Sequence, residues 1–273
     1  MNELKMPTSR GVLWILLSTL LVSGTAFMAW LYMLHEREIK RKDEQYKILA
    51  IVQSTSGPSA LKTAYLAELL GLSIDKPVNL FQFDSHEGVQ TLLKNPLIKD
   101  ASIKKILPGT LYVHYQMRNP KAYVGDFLNT AIDEEGILFP FRPFFTPKNL
   151  PTLYLGLKDN YLWGASLAAH ENLLIAFSLL EQCAQLQPFR LKCIDVAGLQ
   201  SESYGKRQII MTLEKQSSPL VYLRLSKDNN KNFLKFFHQL SSYLHEKKLY
   251  TKAKSLTIDF RIPQLAFLKD NHE

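Results

Sequence analysis

Two short runs hold side chains of the types that do chemistry. Asp84-Ser85-His86 brings a carboxylate, a hydroxyl and an imidazole together, and Asp133-Glu134-Glu135 sets three acids in a row. Nucleophilic catalysis needs its groups to converge on one point, and residues adjacent in sequence mostly face apart. Asp84 has a simpler use: it precedes an apolar helical pattern with Glu87 three residues on, the spacing of a capping box. The acids at 133–135 run into Gly136 with no histidine nearby, which suits a polar hairpin tip better than a metal or catalytic pair. The 7 histidines are scattered, and no Walker loop, GxSxG, HExxH or paired-cysteine motif occurs. The 2 cysteines, Cys183 and Cys193, lack zinc spacing, and two buried free thiols are favoured over a disulfide. The expectation is a protein that is not an enzyme, with no catalytic residue, no metal and no cofactor.

The elements that carry these residues follow from hydrophobic patterning. With 273 residues and 46% hydrophobic content, the chain can hold one large domain or two modest ones with real cores. A net charge of +8 makes anionic surfaces acceptable neighbours, although solvated surface lysine accounts for most of it. Lysines thicken at Lys227, Lys231, Lys235, Lys247, Lys248, Lys252 and Lys254 without the basic–aromatic interleaving of an RNA-binding surface. No nucleic acid is expected as a partner.

Gly11 to Leu34 contains no charged residue. As a helix it would measure about 36 Å, enough to cross the hydrocarbon core of a bilayer. Trp14, Trp30 and Tyr32 lie near its ends, where aromatic rings favour the interface. The run is too long for a usual signal-peptide core, and no small-x-small cleavage pattern follows before His35, so a retained anchor is favoured. Lys5 and Arg10 stand on one flank and Arg37, Lys40, Arg41 and Lys42 on the other, so charge alone leaves the topology open. Glu36 to Gln45 mixes both signs without an apolar stripe and reads as a helical or extended stalk.

Beyond the stalk, Lys47 to Gln53 reads as a strand and Ala60 to Leu70 as a helix built on Leu61, Tyr65, Leu66 and Leu69. Asp84 opens a second helix whose apolar face is Val89, Leu92 and Leu93, ended by Asn95-Pro96. Ile98 to Ile106 is a strand, and Leu111, Val113, Tyr115 and Met117 alternate with Tyr112, His114, Gln116 and Arg118 in the next. Pro108-Gly109 between them supplies the turn of a hairpin. Further strands are expected at Tyr123–Asp126, Thr130–Ile132, Leu191–Val196, Gln208–Glu214, Val221–Leu225 and Ser255–Asp259. Phe139 to Pro151 reads as a loop packed on the sheet. Leu173 to Gln185 is a helix facing inward with Leu173, Ala176, Phe177 and Leu180. Asn230 to Glu246 is another, built on Phe233, Phe236, Phe237, Leu240 and Leu244.

Several pieces then fall in a characteristic order: Ala64-Tyr65-Leu66, Leu69-Leu70-Gly71-Leu72, Asn79-Leu80, Asn95-Pro96-Leu97-Ile98 and Ala101-Ser102-Ile103-Lys104. Leu107-Pro108-Gly109-Thr110-Leu111 and Arg118-Asn119-Pro120-Lys121-Ala122 follow. Strand, two helices and two strands just after a membrane anchor resemble a POTRA domain, and these details resemble that of the FtsQ/DivIB cell-division proteins. Asp133 to Phe139 is similar to the family's Asp-x-x-Gly-hydrophobic turn. Asp259-Phe260-Arg261-Ile262 resembles the family segment that leads into the last strand, here about Gln264 to Leu268. The resemblance runs from about Leu4 to Lys269.

It implies an α+β protein with one N-terminal transmembrane helix, a POTRA domain, and a β domain of mostly antiparallel strands with two helices. The expected divisions are a cytoplasmic head at 1–10, the span at 11–34, the stalk at 35–46, the POTRA domain at 47–121, the FtsQ-type β domain at 122–269 and a tail at 270–273. The implied function is a non-enzymatic bitopic scaffold of the bacterial divisome, linking FtsL- and FtsB-like proteins to septal wall synthesis. Its implied place is the inner membrane at the division septum, N-terminus in the cytoplasm. Partner binding is assigned by the resemblance to Arg261, Ile262, Gln264, Leu265, Ala266, Phe267 and Leu268, through backbone pairing along an open strand. Tyr112 and His114, on the open face of the hairpin, are secondary candidates. The alternatives are a membrane-tethered POTRA module assisting polypeptide translocation or secretion, and an anchored wall hydrolase. The short head leaves little room for cytosolic partners, and the short tail little to extend the last strand.

Overall fold

The computed structural model describes residues 9–57, 59–158, 161–184, 186, 188–215, 219–228, 233–246 and 255–271, with backbone only for 9, 10, 233, 236, 244–246 and 271. The expected head, the start of the last helix at Asn230 and the side chains of Phe233, Phe236 and Leu244 lie outside these. The chain divides into two compact units, the first comprising Met1–Ser54, Lys62–Leu92 and Ala101–Tyr115, the second Thr55–Leu61, Leu93–Asp100 and Gln116–Glu273.

The first unit begins with helix α1, Ser9–Lys42, whose apolar stretch buries nothing against the protein. The helix runs through most of the charged segment read above as a stalk. A Glu36–Lys40 pair at 3.3 Å lies one turn apart, and Lys40, Arg41 and Lys42 in the last turn complement the helix dipole. One 3₁₀ turn, Glu44–Tyr46, follows, with the Asp43 carboxylate accepting from the Gln45 N–H at 2.9 Å.

Strands β1 (Ala50–Thr55), β2 (Ile98–Ile106) and β3 (Thr110–Met117) form a sheet in the order β1-β3-β2, joined by helices α2 (Thr63–Leu69) and α3 (Ser85–Leu93). The alternation in β3 is realised as read: Leu111, Val113, Tyr115 and Met117 are all buried. Burying each such side chain contributes about 1.5–3 kcal/mol before entropy is counted. Leu66 of α2 and Leu92 of α3 are buried with them. Asp84 caps α3 as expected, accepting from the N–H groups of His86 at 2.8 Å and Glu87 at 3.2 Å.

Two boundaries move. β1 starts at Ala50 rather than Lys47, because the preceding residues pair elsewhere: Lys47 bridges Asn79, and the Ile48 N–H donates to the Val78 carbonyl at 2.9 Å. The first helix starts at Thr63 rather than Ala60.

Among its described residues the second unit holds a sheet of nine strands, in the order β12-β11-β10-β9-β8-β7-β4-β5-β6. These are β4 (Ala122–Val124), β5 (Thr130–Ile132), β6 (Leu138–Pro140), β7 (Thr152–Tyr154), β8 (Arg190–Asp195), β9 (Ile209–Glu214), β10 (Leu220–Leu225), β11 (Ser255–Asp259) and β12 (Phe267–Asn271). Most neighbours are antiparallel, but β4–β7, β7–β8 and β10–β11 are parallel. Parallel neighbours need a crossover. Helices α4 (Glu171–Cys183) and α5 (Phe233–Glu246) lie in the connections β7 to β8 and β10 to β11. β5 and β6 pair antiparallel around Gly136, whose φ of +78° a side chain would strain.

Three readings are corrected here and one strand is new: the loop read at Phe139 to Pro151 gives up Phe139 and Pro140 to β6, which β5 pairs. The three residues of β7 show no period of their own and exist as a strand because β4 and β8 pair on either side. α4 presents Asn172, Leu173, Ala176, Leu179 and Cys183 to the core, while Phe177 and Leu180 of the expected face pack at its margin. The last strand is Phe267–Asn271, not Gln264–Leu268: Gln264 sits at φ +65° in the turn, and the Leu265 N–H donates to the Ile262 carbonyl at 3.2 Å. A reversal of that length is what antiparallel pairing of β12 with β11 demands.

Gly109 gives a direct test of packing in the first unit. A Cβ there would stand 2.2 Å from the Lys47 carbonyl oxygen, which is backbone and cannot rotate away. Gly109→Ala is expected to lower stability by about 1–3 kcal/mol, read by chemical denaturation of the detergent-solubilised chain.

Candidate functional site

The last two strands of the second unit and the turn between them carry the partner-binding residues assigned by the resemblance. Asp259 ends β11, and Arg261 begins the turn that follows. Their side chains form a two-pronged pair: Arg261 Nε donates to both Asp259 oxygens at 3.0 Å, and Nη2 to Oδ2 at 2.8 Å. The Arg261 N–H also donates to Oδ1, and Nη1 reaches the Gly205 carbonyl at 3.2 Å. Arg261 therefore shapes the β11–β12 turn and ties it to the 204–206 segment, which a simple exposed ion pair would not do.

Two grooves border this turn. One, of about 850 Å³, is lined by Tyr204, Arg207, Lys227, Asp259, Arg261 and Phe267 among others. The Arg207 guanidinium lies over the Tyr204 ring at 4.3 Å, so cationic and aromatic surface alternate there. The other, of about 280 Å³, is largely apolar and lined by Leu240, Tyr243, Phe260, Leu265 and Ala266. Ile262, Leu265, Phe267 and Leu268 are exposed large hydrophobics in this short stretch. Of the expected site, Arg261, Ile262, Gln264, Leu265 and Ala266 thus belong to the turn, and Phe267 and Leu268 to β12.

Among the described residues β12 has a strand neighbour, β11, on one side only. The opposite end of the sheet is covered by the chain itself. The Leu138 N–H of β6 donates to the Ala165 carbonyl at 3.0 Å, the Gly164 N–H to the Leu138 carbonyl at 2.7 Å, and Ile137 bridges Ser166. Among the described residues, the nine-stranded sheet leaves β12 as its open edge.

Tyr112 and His114 are placed differently. Both lie on β3, the central strand of the three-stranded sheet, and both meet Ser54 of β1: its Oγ is 2.9 Å from the Tyr112 hydroxyl and 2.6 Å from His114 Nδ1. They join strands rather than line an edge.

The acids at 133–135 do form a hairpin tip, as read, but with partners the sequence did not reveal. Asp133 Oδ1 accepts from the N–H groups of Glu135 at 3.0 Å and Ile137 at 2.9 Å, while Oδ2 receives Arg118 Nη1 at 2.6 Å. Arg118 also pairs with Glu135 at 3.0 Å, and Lys99 with Glu134 at 3.4 Å and Glu135 at 2.8 Å. Hydrogen bonds from Lys99 and Arg118 hold the Glu135 carboxyl below its usual range. Cys183 and Cys193 are both free thiols, pushed by burial to about 12 and about 11. Thiols so raised are poor nucleophiles at neutral pH.

An apolar helix long enough to cross a membrane, a small α+β unit and a large mixed sheet make up an α+β protein with a POTRA region. Residues 55–115 match the family model of the FtsQ-type POTRA domain, so the chain carries that domain, and the match supports assignment to the FtsQ/DivIB family. No curated protein matches the chain. An FtsQ-type domain supports a general role as a cell-division scaffold, and with α1 it is consistent with a single-pass membrane protein.

Two predictions follow from the charges. The Asp133 side chain is only 4% exposed and that of Arg118 14%. Asp133→Ala leaves Arg118 with Glu135 alone and removes the acceptor of the Glu135 and Ile137 N–H groups, and is expected to cost about 1–3 kcal/mol by chemical denaturation. Glu134→Ala, at the exposed tip, is expected to cost under about 0.5 kcal/mol. At Asp259 burial pushes the carboxyl up, but hydrogen bonds from Arg261 outweigh it and leave it below the ordinary aspartate range. A depressed folded value means the pair stabilises fully above the unfolded value of about 3.9 and is lost as pH falls through the folded one. Carboxyl NMR titration should accordingly place the Asp259 midpoint below that value, and Arg261→Gln should raise it.

Proposed function

We propose that the protein is a non-enzymatic bitopic scaffold of the bacterial divisome, binding FtsB- and FtsL-like single-span proteins and linking them to septal wall synthesis. In this reading its N-terminus lies in the cytoplasm, its folded units lie outside, and it works in the inner membrane at the septum. The observation that carries it is the open edge of β12. An extended partner segment adds to that edge by backbone hydrogen bonds, which supply affinity without catalysis. Side chains alternating along the added strand reach the grooves on either side of the turn, where Arg261, Phe267 and Leu265 select among sequences. The FtsQ-type domain supports the division setting. The partners come from the family resemblance.

Co-purification from membranes tests this. The intact chain is expected to bring down FtsB- and FtsL-like proteins, and a chain ending after Asp259 to lose them. Because that cut also removes buried Phe260, prolines at Leu268 and Lys269, introduced singly, form the companion test. Pleating turns neighbouring N–H groups to opposite sides, so one of the two blocks the open edge, and recovery should fall about tenfold or more. Equal recovery with both proline variants would remove β12 as the site. Recovery of a secretion channel in place of division proteins would favour the polypeptide-translocation reading.

A further inference from the structure

Residues 43–49 join α1 to β1, and neither glycine nor proline occurs among them. A flexible tether is rich in glycine and serine and keeps its backbone in water. Here the backbone of the joint is bonded to the first unit. The Leu80 N–H donates to the Tyr46 carbonyl at 2.7 Å, the Ile48 N–H to the Val78 carbonyl at 2.9 Å, and the Leu49 N–H to the Gly109 carbonyl at 2.9 Å. The Tyr46 and Phe81 rings meet edge to face at 5.0 Å.

The end of α1 is gripped in the same way. Carbonyls in the last turn of a helix have no partner within it. In α1 two of them are taken by side chains of the first unit about 40 residues away. Asn79, 6% exposed, donates its amide to the Lys40 carbonyl and, just past the helix, to the Asp43 carbonyl, both at 3.0 Å. The same side chain accepts from the Phe81 N–H at 2.8 Å, so it is held on its own turn while it holds α1. The Gln82 amide donates to the Arg41 carbonyl at 3.0 Å. A bend between α1 and the first unit would have to break these bonds together.

We propose that Asn79 and Gln82 couple α1 rigidly to the first unit, so that a tilt or rotation of α1 in the bilayer is passed to that unit in full. A neighbouring helix that packs on α1 thereby orients the first unit, and a partner seated on the first unit sets the tilt of α1. The inference rests on α1 as a membrane span and is independent of the β12 edge.

The test is a spin-label distance measurement on the full-length chain in lipid nanodiscs, with Cys183→Ala and Cys193→Ala removing the native thiols. Labels go on Leu20→Cys and Ser102→Cys, both exposed positions. Leu20 lies about 33 Å along α1 from Lys42, so a slight bend at the joint sweeps its label through a wide arc. One narrow distance distribution is expected. Asn79→Asp with Gln82→Glu keeps the shape of both side chains and the Phe81 bond but removes their N–H donors. It is expected to widen the distribution about twofold or more, and Gln82→Glu alone, at an exposed position, to widen it less. Hydrogen exchange of the β3 amides reports whether the first unit stays folded; if protection falls in the double variant, the single variant decides. A broad distribution in the unsubstituted chain, or a width that neither variant changes, would overturn the proposal. A label at 20 more accessible to an aqueous nickel chelate than to oxygen would instead overturn the span itself.

Discussion

Each peptide group in a sheet needs a hydrogen-bond partner, and in the second unit that requirement runs unbroken from β6 to β12. At one end it is met internally, because the 164–167 segment lies along β6 and takes up its carbonyl and N–H groups. At the other end β12 pairs, among the described residues, with β11 alone. An exposed edge invites unwanted pairing, and proteins usually blunt it. Here the edge carries Phe267 and Leu268 and is bordered by two grooves, and the proposed function makes it the seat of recognition.

That edge depends on elements far from it in sequence. β10 and β11 are parallel, so the chain must cross the sheet through α5 before β11 can form, and Phe237 of that helix is buried against Phe189. Only then does the Arg261 turn bring β12 back antiparallel along β11. The Asp259–Arg261 pair acts at this point. It closes a turn that no glycine supports, and it anchors the turn to the Gly205 carbonyl.

Charge serves structure elsewhere as well. A run of three acids is read most readily as a ligand set. Here Asp133 is spent on two backbone N–H groups and an arginine, and Glu134 and Glu135 on Lys99 and Arg118. Asp84 is spent on the first turn of α3. In both runs the carboxylates are satisfied by the fold itself.

Local periodicity alone determined much of this protein. The charge-free run of α1, the alternation that buries Leu111, Val113, Tyr115 and Met117, the Asp84 cap and the Gly136 reversal were legible because each is written within a few residues. Tertiary structure decided what depends on distant partners. β7 is a strand only between β4 and β8, and α4 is turned by the core it meets so that Asn172 and Leu179 face inward. β12 begins at Phe267 because its register answers to β11, and Asn79 and Gln82 cap a helix that ended about 40 residues earlier. A hydrogen bond between residues so far apart leaves no period in the sequence, since neither residue constrains its own neighbours; only the folded chain brings the two together.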